Sequence, residues 1–264
     1  MKKFLAFIKI GMADGLEYRF QLTYWLLLNM IPMILMIALW SAIYGEKETF
    51  GPYSLAMMVT YYVTTKFINR ITTTYSEGRI AKDIKDGNLN QFLARPMNYS
   101  MLKFGERLGI RVVNMIIFIP GYALAYLLLY KYIVPPVDGI AIFLVTVNTL
   151  INIISHFLLA RILGSAAFFM LETHALFGLK ENVVMLASGY MFPIFLFPEV
   201  IQKILLLTPF PYYYYFPMQI YFGLLSQAEI IQGFTIQFLW MIALFLIGEW
   251  IWKKGLQRYE GVGV

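Results

Sequence analysis

The sequence predicts one all-α integral membrane domain over residues 1–264. It has six transmembrane helices, an N-terminal amphipathic helix, a cytoplasmic helix after the second span and a broken extracytoplasmic hairpin before the last. Three observations predict it. Hydrophobic residues make up 60% of the chain and charged residues 14%, against about 45–50% and about 25% in soluble domains. Six apolar runs are close to the roughly 20 residues that cross a bilayer as a helix. The one long polar stretch, residues 77–107, falls between two of these runs and carries Arg79, Lys82, Lys85, Arg95, Lys103 and Arg107.

The elements follow in order. Residues 1–20 contain Asp14, Glu17 and Arg19 and lack a small-residue cleavage site, so they do not read as a signal peptide. Phe4, Leu5, Phe7, Ile8 and Met12 recur at roughly helical spacing opposite Lys2, Lys3 and Lys9. That pattern predicts a helix lying in the cytoplasmic interface; a plain basic lead-in to the first span is the alternative. The first span, 22–44, is uncharged between Arg19 and Glu46, and the second, 53–75, is apolar until Lys66. The third, 108–130, has its apolar run between Arg111 and Lys131, and the fourth, 139–161, is uncharged between Asp138 and Arg161. The fifth, 182–198, is short and interrupted by Gly and Pro; the sixth, 230–252, is apolar up to Glu249 and ends in a Trp-rich edge.

A further uncharged run, residues 204–228, is long enough to span but contains Pro209, Pro211 and Pro217. Proline removes a donor and clashes with the preceding turn, so a straight helix through all three is not expected. Tyr212 to Tyr215 favour the membrane interface. Two short half-helices dipping into the outer leaflet fit better, with their broken backbone covered by protein.

Charge orients the six spans. With both termini on one side, that side collects sixteen of the 21 Lys and Arg residues, and the other side only Lys47, Lys131 and Lys203. Lys66 and Arg70 lie within the second span. By the positive-inside rule the termini are cytoplasmic, in a multi-pass protein of the cytoplasmic membrane. The net charge of +6 is then a topology signal, and no nucleic-acid partner is expected.

Catalytic chemistry has little to stand on. No cysteine is present, which removes disulfides and thiolate metal sites. There is no G-x-x-x-x-G-K-[ST], no H-E-x-x-H and no G-x-S-x-G. His156 and His174 have no carboxylates at metal-ligand spacing, so no catalytic, cofactor-binding or metal-binding residue is assigned. Within the spans, Asn148, Asn152, Ser155 and His156 share one helix face; they either bond between helices or line a substrate path. Lys66 and Arg70 are one turn apart. They either anchor to cytoplasmic headgroups by snorkelling or contact an anionic substrate entering from that leaflet. Residues 163–182 carry Glu172, His174, Lys180 and Glu181 and are too polar to face lipid; they read as a cytoplasmic-side helix or as an extended, protein-covered start of the fifth span.

Three segments carry a family resemblance: IKDGNLNQFLARPMNY (84–99), SGYMFPIFLFPEVIQKILLLTPFPYYYYFPMQIYFG (188–223) and IWKKGLQRYEGVGV (251–264). Together with the span layout, they resemble the permease subunit of an ABC-2 type exporter over essentially the whole chain. The resemblance implies a permease without its own ATPase. It implies partnership with separate ABC ATPase subunits that hold ATP and Mg, and with a second permease subunit, identical or related. It implies export from the cytoplasmic side or inner leaflet. On this reading Ile80, Ile84, Leu89 and Phe92 form the apolar face of a coupling helix that enters an ATPase groove, and Arg95 before Pro96 ends it. Pro209, Pro211, Tyr213, Tyr214 and Pro217 form an outer gate. Lys66, Arg70, Asn148 and Asn152 are candidates for the substrate path. The competing classes are a secondary transporter, which would want a midplane carboxylate or an inverted repeat, and a membrane-embedded enzyme, which lacks a catalytic cluster.

Overall fold

The computed structural model describes residues 2–17, 19–94 and 97–259. Helices α1 (Lys2–Glu17) and α2 (Arg19–Tyr44) lead to a two-residue antiparallel ribbon, β1 (Thr49–Phe50) and β2 (Tyr53–Ser54). Next come α3 (Leu55–Thr72), the short α4 (Glu77–Lys85) and α5 (Leu89–Leu93), and the long α6 (Tyr99–Leu129) and α7 (Gly139–Ser165). The chain continues through α8 (His174–Ala187), α9 (Glu199–Leu206), α10 (Pro211–Tyr221) and α11 (Gln227–Leu256).

Short polar side chains set the helix starts. Ser54, Asn98 and Asp138 each accept from the backbone N–H three residues on, opening α3, α6 and α7. Ser226 and Glu229 form a reciprocal capping box at the start of α11. These caps fall where an apolar run meets a polar residue, which is why composition alone located the helices they open.

Three described helical stretches are long and apolar enough to cross a membrane: Tyr99–Tyr132, Gly139–Phe168 and Gln227–Leu256; Ile31–Tyr44 is a shorter apolar stretch. Helix α3 is the hub, packing against α2, α6, α7 and α10. It runs antiparallel to α6: Thr60 meets Tyr132 and Val134, while Arg111 meets Arg70. The bundle therefore has a basic end, carrying α4 and α5, and an opposite end, carrying the ribbon and residues 130–138.

The fifth expected span is corrected. Residues 182–198 are not one helix: α8 begins at His174 and stops at Ala187, with 14 residues. At about 1.5 Å per residue it is shorter than a bilayer core. Gly189 turns the chain at φ +82°, and a Cβ there would meet the Tyr61 hydroxyl at 2.7 Å and Tyr215 Cβ at 2.8 Å. Beyond it, Tyr61 donates to the Gly189 carbonyl and Tyr62 to the Met191 carbonyl at 2.6 Å. Tyr215 N–H donates to the Ser188 carbonyl at 3.1 Å. Tyrosines from α3 thus replace helical partners, so irregular backbone is tolerated inside the protein.

Helix α1 runs alongside α6 in the same direction. A Cβ on Gly11 would fall 1.9 Å from the Glu106 carbonyl oxygen, and one on Gly109 would fall 2.0 Å from the Ile8 carbonyl oxygen. Gly11 and Gly15 on α1 lie against Glu106, Ile110 and Val113 of α6, and Gly105 and Gly109 on α6 lie against Phe4, Phe7, Ile8, Gly11 and Met12 of α1. Glycines four apart on both helices let the two backbones touch. The amphipathic pattern anticipated the helix but not this partner.

Candidate substrate cavity and coupling surface

Residues 199–221 fold as two short helices, α9 and α10, with Pro209 in the turn between them and Pro211 at the first position of α10. Pro217 lies inside α10. It has no N–H, so the carbonyl of Tyr213 loses its helical partner. Asn152 Nδ2 donates to that carbonyl at 3.2 Å and to the Tyr212 carbonyl at 3.0 Å. Asn148 Nδ2 donates to the Tyr212 carbonyl at 3.1 Å and to Gln237 Oε1 at 3.1 Å. Gln237 Nε2 closes the network on Asn152 Oδ1 at 2.8 Å. Asn148 and Asn152 are fully buried and do not line the cavity described below. Their geometry is that of an interhelical clamp joining α7, α10 and α11 around a proline-broken helix.

The tyrosine cluster, expected at the membrane interface of the outer leaflet, lies deeper. Tyr213 and Tyr214 are 1% and 0% exposed. Tyr213 stacks on His156 with ring centroids 4.1 Å apart. Tyr214 Oη accepts from Asn69 Nδ2 at 2.6 Å and lies 3.0 Å from Thr73 Oγ1. These partners sit on the basic-end half of α3 and α7, so α10 enters the bundle core instead of capping it. Apolar ring area drives the burial, and donors on α3 satisfy the Tyr214 hydroxyl.

Below Tyr214, toward the basic end, lies a cavity of about 610 Å³. Arg70 enters it from α3, Arg107 and Arg111 from α6, and Lys180 from α8. Arg107 Nε donates to Ser76 Oγ at 3.0 Å, and a second nitrogen donates to the Tyr75 carbonyl. Arg111 donates to the Arg70 carbonyl at 2.8 Å. The Arg70 guanidinium lies 4.0 Å from the Phe118 ring centroid. Among the described residues none of the three guanidiniums forms an ion pair. Asn114 Oδ1 and His156 Nε2, on buried residues that line the same cavity, have no hydrogen-bond partner among the described residues. Ile110, Val184 and Met185 supply apolar wall.

Of the candidates Lys66, Arg70, Asn148 and Asn152, only Arg70 lines this cavity; from the polar face of α7, His156 lines it as well. Lys66 donates to Tyr190 Oη at 2.7 Å; its partner Tyr190 lines the cavity, but Lys66 does not. Arg107, Arg111 and Asn114 were missed as a site. Their spacing of four and three puts them on one face of α6, a signal hidden because the two arginines served the topology count.

The expected coupling residues are brought together, but they face inward. Ile80, Ile84 and Leu89 are 1%, 4% and 0% exposed and form one cluster with Tyr99 and Trp252, with Phe92 packed against it. Tyr99 stacks on Trp252 at 5.1 Å, and its hydroxyl donates to Asp83 Oδ2 at 2.7 Å. Helix α4 rests on Gly164 of α7, where a Cβ would meet Ile80 Cβ at 2.7 Å. This corrects the sequence reading: an apolar face of this size is covered by the chain's own α6, α7 and α11 once they fold around it. The exposed side carries Lys82, Asp86, Asn90, Gln91 and Leu93. Arg95 lies outside the described residues.

Helix α4 is tied to the cavity wall. Lys180 Nζ lies 2.7 Å from Glu77 Oε1 and 2.6 Å from Glu181 Oε1. Lys85 donates to the Leu171 carbonyl just before α8.

No protein of curated function matches the chain. Over residues 30–263 it matches the family model described as ABC-2 family transporter protein. With three long apolar helices, a basic cavity and that match over most of its length, the chain belongs to the ABC-2 transporter family, a family of membrane permeases.

Proposed function

We propose that the chain is the permease subunit of an ABC exporter, driven by separate ATPase subunits that hold ATP and Mg. The observation that carries this reading is the Glu77–Lys180 pair, which links a helix at the basic end to the wall of a cavity. A push on α4 or α5 from a soluble subunit would reach α8 through that pair and through Lys85. The docking face is the exposed one, Lys82, Asp86, Asn90, Gln91 and Leu93. The buried Ile80, Ile84 and Leu89 and the partly buried Phe92 act by seating the helices on the bundle.

The basic end is cytoplasmic, with both termini on that side, as the 16-to-3 charge asymmetry requires. Helices α2, α3, α6, α7 and α11 cross the membrane; α8 and the irregular segment after it complete the sixth passage within protein cover. Tyr213 and Tyr214 form a gate between the cavity and the opposite end. Pro209, Pro211 and Pro217 break the backbone that carries them. A second permease subunit, identical or related, completes the path. Arg70 lines that path, while Lys66, Asn148 and Asn152 position its walls.

Coexpression with a cognate ABC ATPase tests the reading. The ATPase copurifies with the wild-type chain, and Lys82→Glu with Asp86→Arg weakens that association without loss of membrane insertion. Undiminished association and transport in the double variant would remove the proposed docking face.

A further inference from the structure

The cavity below Tyr214 holds more positive charge than the chain neutralises. Arg70, Arg107 and Arg111 meet backbone carbonyls, the Ser76 and Tyr122 hydroxyls and an aromatic ring, and no carboxylate pairs with them among the described residues. Glu77 and Glu181 both pair with Lys180. Like charges gathered in a partly desolvated cavity repel and are costly without a counter-ion. Beside them, Asn114 Oδ1 and His156 Nε2 are unpartnered polar atoms on side chains more than nine-tenths buried. The unspent guanidiniums call for an anion, and the Asn114 oxygen, an acceptor, calls for an N–H or O–H carried by the same ligand.

We infer that this cavity binds a phosphate-bearing amphiphile, with the phosphate among Arg70, Arg107 and Arg111 and the apolar part against Ile110, Val184 and Met185. Guanidinium forks match carboxylate and phosphate oxygens alike. Three guanidiniums favour phosphate, because its oxygens are arranged tetrahedrally and can be met from three sides, whereas a carboxylate offers two oxygens in one plane. A cavity of about 610 Å³ is within the usual range for small-molecule sites. The inference rests on the permease reading only in treating the bound molecule as cargo.

Calorimetric titration of the purified chain in a nonionic maltoside detergent tests it. The probes are dihexanoyl phosphatidic acid, inorganic pyrophosphate and, as neutral control, dihexanoylglycerol. Binding of the phosphatidic acid alone supports the site as one for a phospholipid head. Binding of pyrophosphate with comparable affinity overturns the amphiphile and leaves a soluble phosphate compound as the ligand. In either case Arg111→Gln and Arg70→Gln each weaken binding about tenfold or more, the usual cost of one charge-assisted bond, and Arg111→Lys restores part of it. The Arg70 guanidinium touches the Phe118 ring and the Tyr122 hydroxyl and holds no backbone carbonyl, unlike Arg111, so Arg70→Gln carries the test if Arg111→Gln fails to fold. Lys131→Gln, at the opposite end, leaves affinity unchanged. Failure of both phosphate probes to bind, equal binding of the neutral glyceride, or affinity unmoved by the arginine variants overturns the inference. None of those results bears on ATPase association, so the permease reading stands or falls separately.

Discussion

Glu77 on α4 and Lys180 on α8 meet at 2.7 Å with both side chains almost closed to solvent. The pair joins two elements 103 residues apart in sequence. One of them faces the end where a soluble partner would dock, and the other walls the basic cavity. Removing one partner of a buried pair strands the other charge, at a cost of about 3–5 kcal/mol. Lys180 keeps Glu181, so Glu77→Gln should fall at the low end of that range. It is expected to lower thermal stability in detergent and to cut ATP-driven transport more than ATPase binding. Lys180→Met added to Glu77→Gln should recover stability but not coupling. Recovery of both would reduce the pair to a packing contact.

The clamp on α10 makes a sharper claim. Asn152→Leu removes the donor to the Tyr213 carbonyl, which Pro217 has left without its helical partner. An unsatisfied buried carbonyl costs about 1–3 kcal/mol. Pro217→Ala supplies an N–H to that same carbonyl and should therefore suppress part of the Asn152→Leu defect. Additive losses in the double variant, measured by thermal unfolding, would show that the two residues act independently.

The contact between α1 and α6 predicts intolerance of side chains. Gly109→Leu places atoms where the Ile8 carbonyl oxygen now lies, and overpacking of this kind costs about 1–3 kcal/mol or more. Limited proteolysis should release residues 2–17 from the variant and not from the wild-type chain. Equal protection in both would mean that α1 is held by other contacts.

The two faces of α4 should respond differently. Ile84→Asp buries a charge inside the Tyr99–Trp252 cluster, which costs several kcal/mol and should reduce the yield of folded protein. Lys82→Glu changes only an exposed side chain and should leave yield intact while weakening ATPase association. The reverse pattern, with Ile84→Asp folded and uncoupled, would place the partner on the apolar face after all.

Much of the fold is legible in sequence because its causes are local. Asn98, Asp138 and Ser226 cap the helices they precede, and the apolar runs behind them set length. Gly11, Gly15, Gly105 and Gly109 are spaced four apart on each helix, but only packing shows that α1 and α6 are partners. A helix within 163–182 was legible from its polarity, but its bounds were not: Lys180 sits inside α8 because Glu77, from a distant element, pairs with it. The inward face of α4 was hidden for the same reason: Ile80 and Ile84 spell an amphipathic helix, but Trp252 and Tyr99, which cover them, lie far along the chain. For the cavity, Arg107 and Arg111 were visible as charges, and only packing shows that they converge with Arg70.

The most direct test of a permease driven through α4 and α5 uses the absence of cysteine from the chain. Single Lys82→Cys, Gln91→Cys and Lys131→Cys variants, coexpressed with the ABC ATPase, are treated with a short thiol-to-amine crosslinker in membranes. Crosslinks to the ATPase are expected from positions 82 and 91, strengthened or weakened by ATP, and none from position 131 at the opposite end. Crosslinking from position 131, or transport that persists with no crosslink from either α4 or α5, would contradict the proposed coupling.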